Sequence, residues 1–134
     1  MSELRVATIG GSTVGLSQAK VDKFRKQLQG GLVLATDHGY DELRKVWNGQ
    51  IDRRPALIAR VAGAQDIAAA VNFARDNELL VSVRGGGHNM PGLAVCDGGL
   101  MLDCNSLRTV RIDPVNQRAS ADPGCTWWDF DYQT

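Results

Sequence analysis

The stretch "ELLVSVRGGGHNMPGLAVCDGG", residues 78 to 99, limits the fold more than any other part of the chain. A short apolar, β-branched run reads as a buried strand, and it passes straight into Arg84, three adjacent glycines and His88. Upstream, "RRPALIARVAG" carries a Pro-started strand at about Ala56 to Val61. Gly63 then breaks it, and a helix follows from about Ala64 to Asn77 with Ile67, Ala70, Val71 and Ala74 on one stripe. Strand, helix and strand form a β-α-β unit that delivers the glycines to a strand end. Three glycines without Cβ atoms let backbone N–H groups approach a bulky anion and let the chain take positive φ at little steric cost. Arg84 at the edge offers a permanently charged, bidentate clamp for a phosphate oxygen. The alternative is a tight connection in which the glycines only solve a turning problem and His88 is satisfied by backbone carbonyls.

The rest of the chain frames this unit. Residues 1 to 16 mix Gly, Ser and Thr with small apolar residues and read as a flexible leader; "IGGSTVG" fits neither glycine-rich nucleotide motif and is expected to be a loop. Ser17 is a suitable N-cap for a helix in which Val21, Phe24 and Leu28 recur at helical spacing, stopped by Gly30 and Gly31. A short helix is expected over Tyr40 to Val46. Beyond Gly92, "LMLDC", "TVRID" and "QRASAD" read as antiparallel strands separated by turn signals, and Thr126 to Asp131 opens a helix with Asp129 and Asp131 in its first turn. The fold class is α+β: N-terminal helices, a β-α-β unit and antiparallel strands.

Charge and cysteine content narrow the partners. The chain has 134 residues, with 15 Lys plus Arg against 15 Asp plus Glu, so no broad basic face points to nucleic acid or an anionic membrane. A small ligand is expected instead. No signal-like or membrane-spanning apolar stretch is visible, which places the chain in the cytoplasm. Cys96, Cys104 and Cys125 lack a C-x-x-C spacing and read as three buried, inert thiols rather than a disulfide framework or metal site.

"VRGGGHNMPGLAVCDGGLMLD", with the upstream "YDELRKVWNGQIDRRPALIARV", resembles the flavin-binding N-terminal region of FAD-linked oxidases. These form the vanillyl-alcohol oxidase superfamily with its PCMH-type FAD-binding domain, and the bacterial berberine-bridge-enzyme-like group is the nearest in pattern. The resemblance runs from about Ser17 to Asp131. It implies that residues 17 to 134 are an incomplete N-terminal portion of an FAD-binding domain, with the substrate domain absent. It implies FAD as cofactor, with Arg84, Gly85, Gly86 and Gly87 at the pyrophosphate. His88 would be the covalent attachment point, through a ring nitrogen to the 8α-methyl carbon of the isoalloxazine. Asn89 belongs to the same motif, and Gly92, Leu93 and Ala94 would pass alongside the cofactor. The implied reaction is oxidation of an alcohol, sugar or similar small substrate by hydride transfer to FAD, in a full-length context. Two alternatives stand beside it: a truncated flavin binder without turnover, and a phosphate-binding module without flavin.

The pattern also departs from the family. None of the three cysteines matches the second, cysteinyl attachment of doubly linked members. Trp128 stands in "GCTWWDFD" where the related pattern has a glycine, and in a filled turn that ring would cost about 1 to 3 kcal/mol. No catalytic residue is assigned within this chain.

Overall fold

The computed structural model describes residues 2–134. Its centre is a four-stranded sheet in the order β3-β4-β6-β5, formed by β3 (Leu32–Leu34), β4 (Leu57–Arg60), β5 (Val81–Arg84) and β6 (Leu100–Asp103). Strands β4 and β5 each run parallel to β6, and β3 pairs antiparallel with β4. The expected β-α-β unit is present, with α3 (Ala64–Asp76) as its helix, but its two strands are not neighbours because β6 lies between them. "LMLDC" is therefore not an antiparallel strand. Leu100, Met101, Leu102 and Asp103 are all buried, as a strand covered on both faces requires.

Period-two alternation divides this core. Leu57, Ala59, Leu100 and Leu102 pack with Val21 and Phe24 of α1 (Gln18–Gln27) and with Ala70 and Ala74 of α3. Ile58 and Met101 belong to a second cluster with Tyr40 and Val95. Phe24 and Phe73 stack at 4.0 Å between the two helices. The α3 stripe is thus Ala70, Phe73 and Ala74, with Ile67 at its margin; Val71, expected on it, is 50% exposed.

Ser17 caps α1 as expected, accepting from the Lys20 amide at 3.3 Å. The helix at Tyr40 is a single turn, α2 (Tyr40–Leu43), shorter than the expected span to Val46. Tyr40 anchors it by donating its hydroxyl proton to the Pro55 carbonyl at 2.6 Å. The expected leader is instead a hairpin, β1 (Leu4–Ala7) with β2 (Thr13–Leu16), whose Val6 and Leu16 are fully buried. Ala7 N donates to Gly98 O at 2.7 Å and Leu80 N to Ala7 O at 2.9 Å, so the backbone of this segment is tied to both ends of the glycine-rich region.

A second hairpin, β7 (Val110–Asp113) with β8 (Arg118–Ala121), is antiparallel as expected and carries α4 (Trp127–Gln133). Thr126 and Asp129 form a reciprocal capping box. The Thr126 amide and the Arg108 guanidinium hold the Asp129 carboxyl down at about 2. Asp131 lies beyond the first turn. Trp128 is 71% exposed and stacks on Tyr132, so it does not overfill a turn. Cys96 and Cys104 are buried, and burial pushes both thiols up; Cys125 is only half-buried. Among the described residues, no helix is long and apolar enough to cross a membrane.

One buried carboxylate ties the helical layer together. Asp66, 1% exposed, accepts from the amides of Gln29 at 2.8 Å, Gly30 at 2.9 Å and Ala62 at 2.9 Å. Burial pushes its carboxyl up, but the three amides outweigh this and hold it below its usual value. Asp66→Asn places an amide among donors and is expected to lower unfolding free energy in urea by about 3 kcal/mol at pH 7. Because the folded carboxyl titrates lower than the unfolded one, the wild-type advantage is full above about pH 4 to 5 and shrinks as pH falls through the folded value. Urea midpoints measured from pH 7 to pH 3 check both effects.

Candidate functional site

The glycine loop leaves the C-terminal end of β5, where a parallel sheet opens toward ligands. Gly85 lies so close to the Pro123 carbonyl that an added Cβ would stand 2.2 Å from that oxygen, so only glycine fits. Gly86 has open space around the same position. Among the described residues, the amide N–H groups of Gly85, Gly86, Gly87 and His88 donate to no protein acceptor. Consecutive amides without a protein acceptor, beside the open arc at Gly86, are the backbone pattern of an anion cradle.

Gly86 and His88 line a cleft of about 450 Å³ whose other lining comes from β8, α4 and the segment that joins them: Ala119, Ala121, Asp122, Cys125, Trp127 and Phe130. None of these other lining residues carried a site signal in the sequence; the contact joins segments more than thirty residues apart. The wall is apolar at Trp127 and Phe130, whose rings meet edge to face at 5.8 Å.

Behind the cradle, the loop is held by the segment that follows α2. Arg53 Nη1 donates to Gly92 O at 2.7 Å and Val95 O at 3.2 Å. Arg54 N donates to Asp97 Oδ1, and Gly98 N to Arg54 O, both at 2.8 Å. Gly92 has φ +76°, and a Cβ there would meet the Ile51 side chain at 2.7 Å. Asn89 Oδ1 accepts from Leu93 N at 2.9 Å, closing the turn around Gly92. Gly92 and Ala94 are buried in this support, while Leu93 is 67% exposed; none of the three lines the cleft with His88. Arg84 turns its guanidinium inward, donating from Nη1 to Leu43 O and lying 3.9 Å from Asp103 through Nε. The expected outward phosphate clamp is not the arrangement seen; Arg84 braces the loop against α2 and β6.

The model of the family described as "FAD binding domain" matches residues 55–134. The chain belongs to this FAD-binding domain family.

The domain is 41% identical over 97 residues to (R)-6-hydroxynicotine oxidase of Paenarthrobacter nicotinovorans, a match covering 72% of this chain and 21% of that protein. A crystal structure of 6-hydroxy-D-nicotine oxidase from Arthrobacter nicotinovorans superposes with a TM-score of 0.74 at 39% identity, over 79% of this chain and 23% of the other. Xylooligosaccharide oxidase from Myceliophthora thermophila, in complex with xylobiose, gives a TM-score of 0.67 at 25% identity over 79% and 23%. The FAD-binding domain described here therefore spans under a quarter of the length of these relatives. The mixed helix-and-strand fold is that of the FAD-binding domains of vanillyl-alcohol-oxidase-type, PCMH-type oxidases.

The residues fit the cofactor. The free amides suit a pyrophosphate, the arc at Gly86 is open, and the cleft beyond it has an aromatic wall suited to a ring system. Gly85→Ala is expected to destabilise the fold by about 2 kcal/mol through its clash with Pro123. Gly86→Ala should leave stability within about 0.5 kcal/mol yet weaken FAD binding by about tenfold by filling the arc. Thermal melts with flavin-fluorescence titrations separate the two effects.

Proposed function

We propose that this FAD-binding domain anchors its flavin covalently through His88 and belongs to an oxidoreductase that oxidises an alcohol, sugar, amine or similar small reduced carbon. The observation that carries the reading is the shared wall of the cleft: Gly86 and His88 line it within a run of four amides that have no protein acceptor. Bound FAD supplies the two-electron chemistry, accepting a hydride from carbon and passing electrons on to an acceptor such as oxygen. The chain's own contribution is binding and placement. Gly85 to His88 present amide donors to the pyrophosphate, Arg84 and Arg53 hold that loop in shape, and Trp127 and Phe130 give one side of the cleft an aromatic lining. His88 presents an exposed imidazole whose ring nitrogen is the attachment atom.

The names of the relatives support a small organic substrate, heteroaromatic amine or oligosaccharide, without choosing between them. No residue in this chain is assigned to taking the substrate's proton. The partner is a small molecule, with no nucleic acid or membrane involved, and the compartment is the cytoplasm.

Acid precipitation tests the attachment. After incubation with FAD, the pellet should remain yellow, and digestion should yield a flavin-bearing peptide containing His88. His88→Ala should lose essentially all acid-stable colour while keeping measurable non-covalent FAD. Colour released wholly to the supernatant by the wild type overturns the covalent reading, and an adduct retained in His88→Ala overturns the assignment of the residue.

A further inference from the structure

The dipeptide Trp47–Asn48 meets the segment around His88 from outside its own loop. The Trp47 amide donates to the Gly87 carbonyl at 2.9 Å, on the peptide just before His88. Asn48 Nδ2 donates to the Met90 carbonyl at 2.9 Å, two residues beyond it. The orientation of that side-chain amide is fixed, because its Oδ1 accepts from Gln50 N at 3.1 Å. Between the two hydrogen bonds the Trp47 indole meets the His88 imidazole with ring centroids 5.2 Å apart and planes at 67°. This edge-to-face geometry is favoured by the ring quadrupoles.

The arrangement is difficult to explain as core packing. Trp47 is 73% exposed, and the Asn48 hydrogen bond is exposed as well. Burial of the indole is therefore a small part of what holds it; its ring partner is His88. An exposed imidazole on a glycine-rich arc would otherwise sample several rotamers and backbone positions. Two hydrogen bonds across residues 87 to 90 and one ring contact within that span restrict both.

We propose that Trp47 and Asn48 are positioning residues for His88: the pair brackets the peptide around it, and the indole sets the plane of the imidazole at the cleft. The functional meaning rests on the covalent reading above, but the placement is measurable without flavin. Neither residue touches the reacting atoms. Their effect is on how often the imidazole stands in the geometry that attachment requires, where a small displacement costs large factors in rate.

The protein has two histidines, His38 and His88, so labelled imidazoles give two sets of NMR signals, with His38 as internal reference. Without flavin, the His88 ring protons should be displaced by the indole ring current. Trp47→Leu should remove that displacement, Trp47→Phe should keep most of it, and His38 should not move. With flavin, Trp47→Leu and Asn48→Ala should each slow the appearance of acid-stable colour by about tenfold. Trp47→Phe should restore the rate to within about twofold of wild type. Far-UV circular dichroism checks that every variant is folded. A His88 signal indifferent to Trp47→Leu overturns the placement. Unchanged attachment in both Trp47→Leu and Asn48→Ala, where wild type attaches flavin, overturns the positioning role. If wild type attaches none while the ring-current pattern is as expected, the covalent reading fails and the bracket around His88 stands.

Discussion

A strand buried on both faces has to be covered twice, and β6 imposes this on the whole molecule. Leu100 and Leu102 require the helical layer of α1 and α3; Met101 requires a cover on the other side. The chain supplies that second cover with the single turn at Tyr40 and the loop before β6, through Val95. Irregular backbone can bury a sheet face only if its polar groups are paired. Arg53 and Arg54 bond one loop to the other, at Gly92, Val95 and Asp97, and Asn89 pairs with Leu93 inside the glycine-rich loop itself. The glycine arc is thus the outer surface of a structure whose inner surface is core, which is why a loop with so little side-chain mass holds a defined shape.

The elements that the sequence displayed clearly were those with their own local signal. Ser17 with its spaced apolar residues, the helix after Gly63, and the two hairpin strands around "PVN" are all governed by neighbours a few residues away. Structure departs from local pattern where a distant partner decides. "LML" is a continuous apolar run with no period-two polarity, and its burial depends on β5 and β4, whose register partners lie 19 and 43 residues upstream. Residues 4 to 16 do alternate apolar and polar over short runs, yet the glycines between them read as looseness rather than as a hairpin turn. Val71 falls on the expected stripe and Phe73 does not, because the stacked pair with Phe24 sets the rotation of α3.

The site was legible to a similar degree and for similar reasons. Gly86 and His88, singled out by the resemblance, line a cleft together with Cys125, Trp127 and Phe130, which the sequence did not single out. Arg84 shows the limit of reading charge from sequence. An arginine beside three glycines suggests a ligand clamp, but Asp103 at the matching position of the neighbouring strand and the open carbonyl of Leu43 claim it first. Trp47 and Asn48 were within the resembling segment and carried no signal of their own; only the fold brings them to His88.

The N-terminal hairpin has a consequence for how the protein is made. Its backbone bonds run to Glu78, Leu80 and Gly98, residues synthesised long after it. During synthesis at about 5 to 20 residues per second, the first strand emerges seconds before any of these partners exist. Val6 and Leu16 must wait in an unpaired ribbon, which is marginal in water on its own. The hairpin therefore docks only after Gly98 has been made, and until then the nascent polypeptide carries Val6 and Leu16 without their cover.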